Sequence, residues 1–251
     1  MVSWAKQRKL LYGGGVIIIL LVAIAVPAWK VFYKAPSCFD GIKDGNETGV
    51  DCGGSCVKLC PSAFLTPVTD WTRFEEVAPG LYNIATYIEN PNIDGEAFGV
   101  PYHVQLYDNR GVLIVEYDGT VTLPPHRNVL AFQGAVNTGQ RVPSKALFEF
   151  TGIPNWHKQA DRLVYLSVTD KQYREDETGS ALTATLKNNG VLPVGRISVY
   201  VVLYDKNNNA IGFSKTIIDS IAAGATVTAP FTWPVDRHGA VVSIEVLPVA
   251  E

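Results

Sequence analysis

The chain has 251 residues, a formal net charge of −3, 47% apolar and 18% charged residues. That composition excludes a disordered chain and leaves room for one or two ordinary domains. With Lys6, Arg8, Lys9 and Lys30 at the N-terminus set aside, 17 basic residues (21 less 4) face 24 acidic ones, a charge of −7. Such a balance disfavours nucleic acid and anionic lipid as partners.

Residues 1–9 are basic and short. From Leu10 to Trp29, "LLYGGGVIIILLVAIAVPAW", twenty residues carry no charge, enough to cross a hydrocarbon core. The spacing predicts a single transmembrane helix over 10–30. Lys6, Arg8, Lys9 and the amino terminus precede it, and Lys30 and Lys34 follow. This bias predicts a single-pass protein of the cell membrane, with a cytoplasmic N-terminus and extracytoplasmic C-terminal domains. Trp4 and Tyr12 at one end, with Trp29, Phe32 and Tyr33 at the other, suit interfacial anchors. The rival is a cleaved signal peptide, because Ala23-Ile24-Ala25 has a small-x-small pattern; the length of the apolar run favours a retained anchor.

Residues 31–61 hold all four cysteines, Cys38, Cys52, Cys56 and Cys60, in "CFDGIKDGNETGVDCGGSCVKLC". Outside the cytoplasm an even count in a loop-rich segment reads as two disulfides, with three pairings open. The segment has too few large apolar groups for a core, so covalent closure replaces one. Asp40-Gly41, Asp44-Gly45 and Gly53-Gly54 are turn formers. Zinc or an iron–sulfur centre would need thiolates, against the expected compartment. Asp40, Asp44, Asn46, Glu47 and Asp51 are oxygen ligands on one loop, the set a calcium ion takes, although their order is not that of an EF-hand. The alternative is that these side chains form Asx turns and keep a core-less loop soluble. Asn46-Glu47-Thr48 is also a glycosylation sequon. The stretch "CFDGIKDGNETGVDCGGSC" resembles an exported DGxxDGxETxVDCGGxC-type cysteine motif of surface proteins. That resemblance implies location and architecture and no catalytic activity.

From about residue 62 onward the pattern has period two. Val100, Tyr102, Val104 and Leu106 fall on one face of a strand, with His103, Gln105 and Tyr107 opposite. Ile197, Val199, Val201 and Leu203 repeat the arrangement, with Ser198, Tyr200 and Tyr204 opposite. Both runs end in Leu-Tyr-Asp, at 106–108 and 203–205, and both follow an Ala-Thr pair, at 85–86 and 184–185. This self-similarity predicts one module used twice, at 62–153 and 161–251, with the break near "GIPNWHKQA". Strands at this spacing predict antiparallel sandwiches of seven or so strands each. The fold class is therefore mainly β: one transmembrane helix, a disulfide-rich segment and two tandem sandwiches. The second copy, through Asn188-Asn189-Gly190, Val201-Val202-Leu203-Tyr204-Asp205 and Gly224, resembles the FxLYD-type domain of exported bacterial and archaeal proteins. The first copy resembles it less closely. The resemblance implies an immunoglobulin-like or fibronectin-like sandwich on a cell surface.

His103, His126, His157 and His238 are scattered singly, with no metalloprotease helix, nucleophile elbow or phosphate loop. Neither an enzyme nor a nucleotide binder is predicted. Trp71, Trp156 and Trp233 are candidate anchors for a glycan or protein partner, weighed against packing in the sandwiches or at their junctions. The sequence thus predicts a non-catalytic, membrane-anchored structural or interaction protein with a partner in the envelope or on the surface. The alternative is a glycan- or calcium-binding module built on the acidic cysteine loop. Thiol labelling of intact cells should leave the four cysteines unmodified until a reductant is added; labelling without reductant would return the quartet to zinc.

Overall fold

The computed structural model describes residues 4–33, 35–58, 60, 64–177, 179–234, 237 and 239–251. His238, Lys34, the last residue expected in the cysteine segment, 61, and the first expected in the first sandwich, 62 and 63, lie outside them. The N-terminal part is one helix, α1 (Trp4–Phe32), longer at both ends than the predicted span. Its Tyr12–Lys30 stretch has a mean hydropathy of 2.1 and no buried residue. Pro27 lies within the helix, where it removes one N–H and crowds the carbonyl a turn earlier.

The rest is β-structure. The strands are β1 (Val68–Ala78), β2 (Leu81–Glu89), β3 (Gly95–Tyr107), β4 (Leu113–Leu123), β5 (Asn128–Asn137), β6 (Lys145–Phe150) and β7 (Trp156–Lys158). They continue as β8 (Leu166–Asp176), β9 (Gly179–Asn188), β10 (Ile197–Tyr204), β11 (Ala210–Ile218), β12 (Thr226–Trp233) and β13 (Ser243–Ala250). Two sheets, β1-β2-β5 and β4-β3-β6, face each other as the first sandwich, and β7 pairs with the start of β3. Sheets β8-β9-β12 and β11-β10-β13 form the second. The strand orders are the same, and all pairings are antiparallel. Among the described residues the first sandwich has seven strands, β7 included, and the second six, where seven or so were expected. β7 falls inside the interval read as the break, and its Trp156 is buried in the first core. Arg174, Glu175 and Asp176 continue β8 to its end.

The predicted core faces are those observed. Val100, Tyr102, Val104 and Leu106 are buried with Ile84, Ile88 and Trp156 in one cluster. Ile197, Val199, Val201 and Leu203 are buried with Leu182, Leu186, Phe231 and Trp233 in the other. Both Leu-Tyr-Asp triplets behave alike at their ends. Leu106 and Leu203 are fully buried. Asp108 accepts the Arg110 and Val112 N–H groups, both at 2.9 Å, and Asp205 accepts those of Asn207 and Asn209, both at 2.8 Å. The Val112 and Asn209 N–H groups, more than any other neighbour, hold the two carboxyls below the usual range.

The most exact correspondence is a pair of buried asparagines. Asn90 donates to the carbonyls of Gly95, Leu123 and Pro124 and accepts the Asn92 N–H. Asn188 donates to Leu192, Ile221 and Ala222 and accepts the Gly190 N–H. Each ties the corner between the second and third strands of its sandwich to the turn between the fourth and fifth. Aligned on these residues, the Ala-Thr pairs are one residue out of step. Ala184 faces its core, whereas Ala85 faces away from its own, as a one-residue slip along a pleat requires. Replacing Asn188 with Ala removes the donor shared by three carbonyls and the acceptor of the Gly190 N–H, so it should lower unfolding free energy by about 1–3 kcal/mol in denaturant titrations. An unchanged midpoint would show that the clamp contributes nothing.

Candidate functional site: the cysteine loop and the seam between the sandwiches

All four cysteines are disulfide-bonded, and Cys52, Cys56 and Cys60 are buried. The sulfurs are therefore not thiolates available to a metal. The glycines of the predicted turns, Gly41, Gly45, Gly53 and Gly54, all have positive φ. At Gly54 a Cβ would also lie 2.0 Å from the Asn46 carbonyl oxygen, so no other residue fits that approach.

The oxygen-bearing side chains of this loop largely serve its own backbone. Asp51 accepts the Asp40 N–H at 2.9 Å and the Gly41 N–H at 2.9 Å, and Asp40 accepts the Ile42 N–H at 3.0 Å. Glu47 accepts the Asp51 N–H at 3.1 Å and the Asp44 N–H at 3.4 Å. Asn46 accepts the Ser55 hydroxyl at 2.7 Å. Asp44 differs from the others. Its Oδ1 is enclosed and has no hydrogen-bond partner among the described residues.

A second concentration of polar side chains lies where the two sandwiches meet. The outer faces of β2 and β5 pack against β10, β11 and β13 through Ala85, Tyr87, Leu130, Val202, Ala210, Phe213 and Leu247. Trp71 packs at a tilt against Tyr87 and Phe213, with ring centroids 5.4 and 6.3 Å away. Here β10 departs from the expected half-buried strand, because both of its faces are covered. At one edge, Glu75 of β1 accepts Arg237 Nη2 at 2.6 Å and the Phe213 N–H at 3.0 Å. Burial pushes the Glu75 carboxyl above its ordinary value; the Phe213 N–H and Arg237 pull it the other way without cancelling the shift. Arg237 also donates to the Ile211 carbonyl. At another edge, the hydroxyls of Tyr87 and Tyr204 donate to the two oxygens of Glu245, each at 2.9 Å. Burial, and then the Glu245 charge, hold both phenols far above their usual range, so they remain donors.

The segment joining the sandwiches is fastened along its length. Asp161 receives Arg127 in a two-pronged contact at 2.9 and 2.6 Å. Arg162 donates to the buried Glu96 at 2.7 Å and to the Ala250 carbonyl at 3.3 Å. Leu163 is buried. Beside this junction is a cleft of about 240 Å³, lined by Thr120, Thr122, Ser198, Tyr200, Lys215 and Glu251. Lys215 lies 3.8 Å from Glu251 and 5.3 Å from the Tyr200 ring centre. Ser198 donates to Glu251, which also receives Arg196 at 2.7 Å. The charges lining the cleft are thus paired with one another, leaving a small polar recess.

The remaining sequence candidates have structural partners. His103 lies 2.8 Å from Asp118, and that hydrogen bond raises its pKa, with Glu116 adding to it. His157 lies beside Phe98, and His126 occupies a turn at positive φ. Trp156 and Trp233 are core residues, the latter donating to the Phe213 carbonyl at 3.2 Å. The seam was missed in the sequence, although "ISVYVVLY" carried a signal. Val202 breaks the alternation, giving the near-continuous apolar run of a strand covered on both faces.

No protein-family model matches the chain, and no curated protein matches it. Solved structures to which it is similar include red sea bream transglutaminase, at 13% identity and a TM-score of 0.23, covering 66% of this chain and 27% of that one. A glycoside hydrolase family 2 β-glucuronidase has 11% identity and a TM-score of 0.25 over 87% of this chain and 29% of its own. A putative β-galactosidase from Bacteroides fragilis has 11% identity and a TM-score of 0.22 over 69% and 33%. The chain spans about a third or less of these proteins' lengths.

Replacing Glu75 with Ala leaves the 7%-exposed Arg237 without its carboxylate. The variant should lose about 3 kcal/mol of stability, the cost of an uncompensated buried charge, measured by denaturant midpoint. A loss near zero would make the pair incidental to the seam.

Proposed function

We propose that this chain is a membrane-anchored, non-catalytic interaction protein that displays a rigid pair of β-sandwiches outside the cytoplasm. The observation that carries this reading is the seam, which makes a single body of two domains. The unburied Tyr12–Lys30 stretch supports a single-pass anchor, and the excess of cations before it supports a cytoplasmic N-terminus. Disulfides support placing the chain beyond the anchor in an oxidising compartment. The matching strand orders and the twin asparagine clamps support a duplicated immunoglobulin-like or fibronectin-like unit, in line with the FxLYD resemblance. The cysteine-motif resemblance points to the same surface location. Carboxylates, histidines and tryptophans spent on turns, ion pairs and cores support a role in contact and display, with an envelope or surface protein as partner.

A second reading, calcium binding by the cysteine loop, has one observation in its favour: the enclosed, unpartnered Oδ1 of Asp44. Millimolar calcium should then raise the melting temperature of the wild type and not of Asp44→Asn; no shift in either removes this reading. For the main reading, a reporter active only outside the cytoplasm, fused after Glu251, should be active. A cytoplasmic reporter active at that position would overturn it.

A further inference from the structure

The sandwich pair has two ends of different character. At one end are the β3–β4 and β10–β11 turns, where Asn109, Arg110, Lys206, Asn207 and Asn208 are exposed, with single valines, Val112, Val142 and Val242, nearby. At the other are the corners held by Asn90 and Asn188, and the chain enters the pair here. Lys158 N–H donates to the Val57 carbonyl at 2.5 Å, and Leu65 and Asn92 bond reciprocally at 2.8 and 2.9 Å. The joining segment crosses the same end. Gln159 N–H donates to the Asp94 carbonyl and Asn189 N–H to the Tyr165 carbonyl, both at 2.9 Å.

This entry end is apolar where loops are ordinarily polar. Ile93 is 80% exposed, Ile153 84%, Val164 64%, Tyr165 64%, Val191 91% and Leu192 72%. Both sandwiches contribute through the same connection, Ile93 between β2 and β3, and Val191 and Leu192 between β9 and β10. The backbone of these loops is pinned by the asparagine clamps, so the side chains are presented outward by a fixed frame. Large apolar side chains exposed on several loops of one end mark a contact site.

We propose that this end is a lipid-contacting surface, with these six side chains seated in the interfacial zone of a neutral bilayer. The proposal rests on the membrane anchorage proposed above. The chain reaches this end from the segment that follows its apolar span, which places one apolar phase within covalent reach. Nearby charges favour a neutral surface over an anionic one, because they are matched in sign. Lys158 lies 3.7 Å from Asp94, Arg127 2.6 Å from Asp161, and Arg196 3.9 Å from Asp219. Loops bearing aliphatic and tyrosine side chains penetrate about 5–10 Å, to the boundary of headgroups and acyl chains.

The test is fluorescence of the full chain reconstituted in phosphatidylcholine vesicles whose acyl chains are brominated near the headgroup. The variants are Tyr165→Trp and Val191→Trp at this end and Asn109→Trp at the other. All three sites are exposed, so the core is untouched, and native Trp29 reports anchorage. The two entry-end tryptophans should add fluorescence that bromine quenches at least about twofold more strongly than that of Asn109→Trp, as shallow insertion requires. Quenching of native tryptophan with none added at positions 165 and 191 would overturn the proposal, leave the anchor standing and assign this end to a protein partner. Absence of quenching in the wild type would defeat the anchor reading and this proposal together.

Discussion

The organisation of this protein depends on the outer face of β10 being covered as its inner face is. An ordinary sandwich turns one side of each sheet to water. Here Val202 and Phe213 of the second sandwich bury against Ala85 and Leu130 of the first. Each large apolar side chain removed from water contributes roughly 1.5–3 kcal/mol, and several are removed at once. Two domains that share such a seam do not behave as beads on a string.

Polar groups give the seam its register. Apolar contact alone tolerates sliding, whereas Glu75 with Arg237 and Glu245 with Tyr87 and Tyr204 each fit one relative placement. Their cost is desolvation, visible in the raised pKa of Glu75 and of both tyrosines. The joining segment adds constraint through Arg127–Asp161 and Arg162–Glu96. A rigid pair holds its loops at fixed separations.

Much of the fold was legible because its determinants are local. Alternation in "VPYHVQLY" and closely spaced glycines each act over a few residues, and each appears where expected. The cysteine loop was legible too, since a segment without a core needs staples. The seam was not, because it depends on which outer faces meet across long sequence distances. The same limit explains the Ala-Thr pairs. Identity of two letters cannot reveal which side of a pleat they occupy, whereas Asn90 and Asn188 are fixed by the carbonyls they hold. Trp156 looked like a junction residue because Gly152, Pro154 and Asn155 precede it. Pairing with β3 places it in the first core instead.

The most direct test of this account is differential scanning calorimetry of the full chain. A seam of this kind predicts one endothermic transition for both sandwiches, with the calorimetric enthalpy matching the van't Hoff value. Two resolved transitions in the wild type, one for each sandwich, would contradict it.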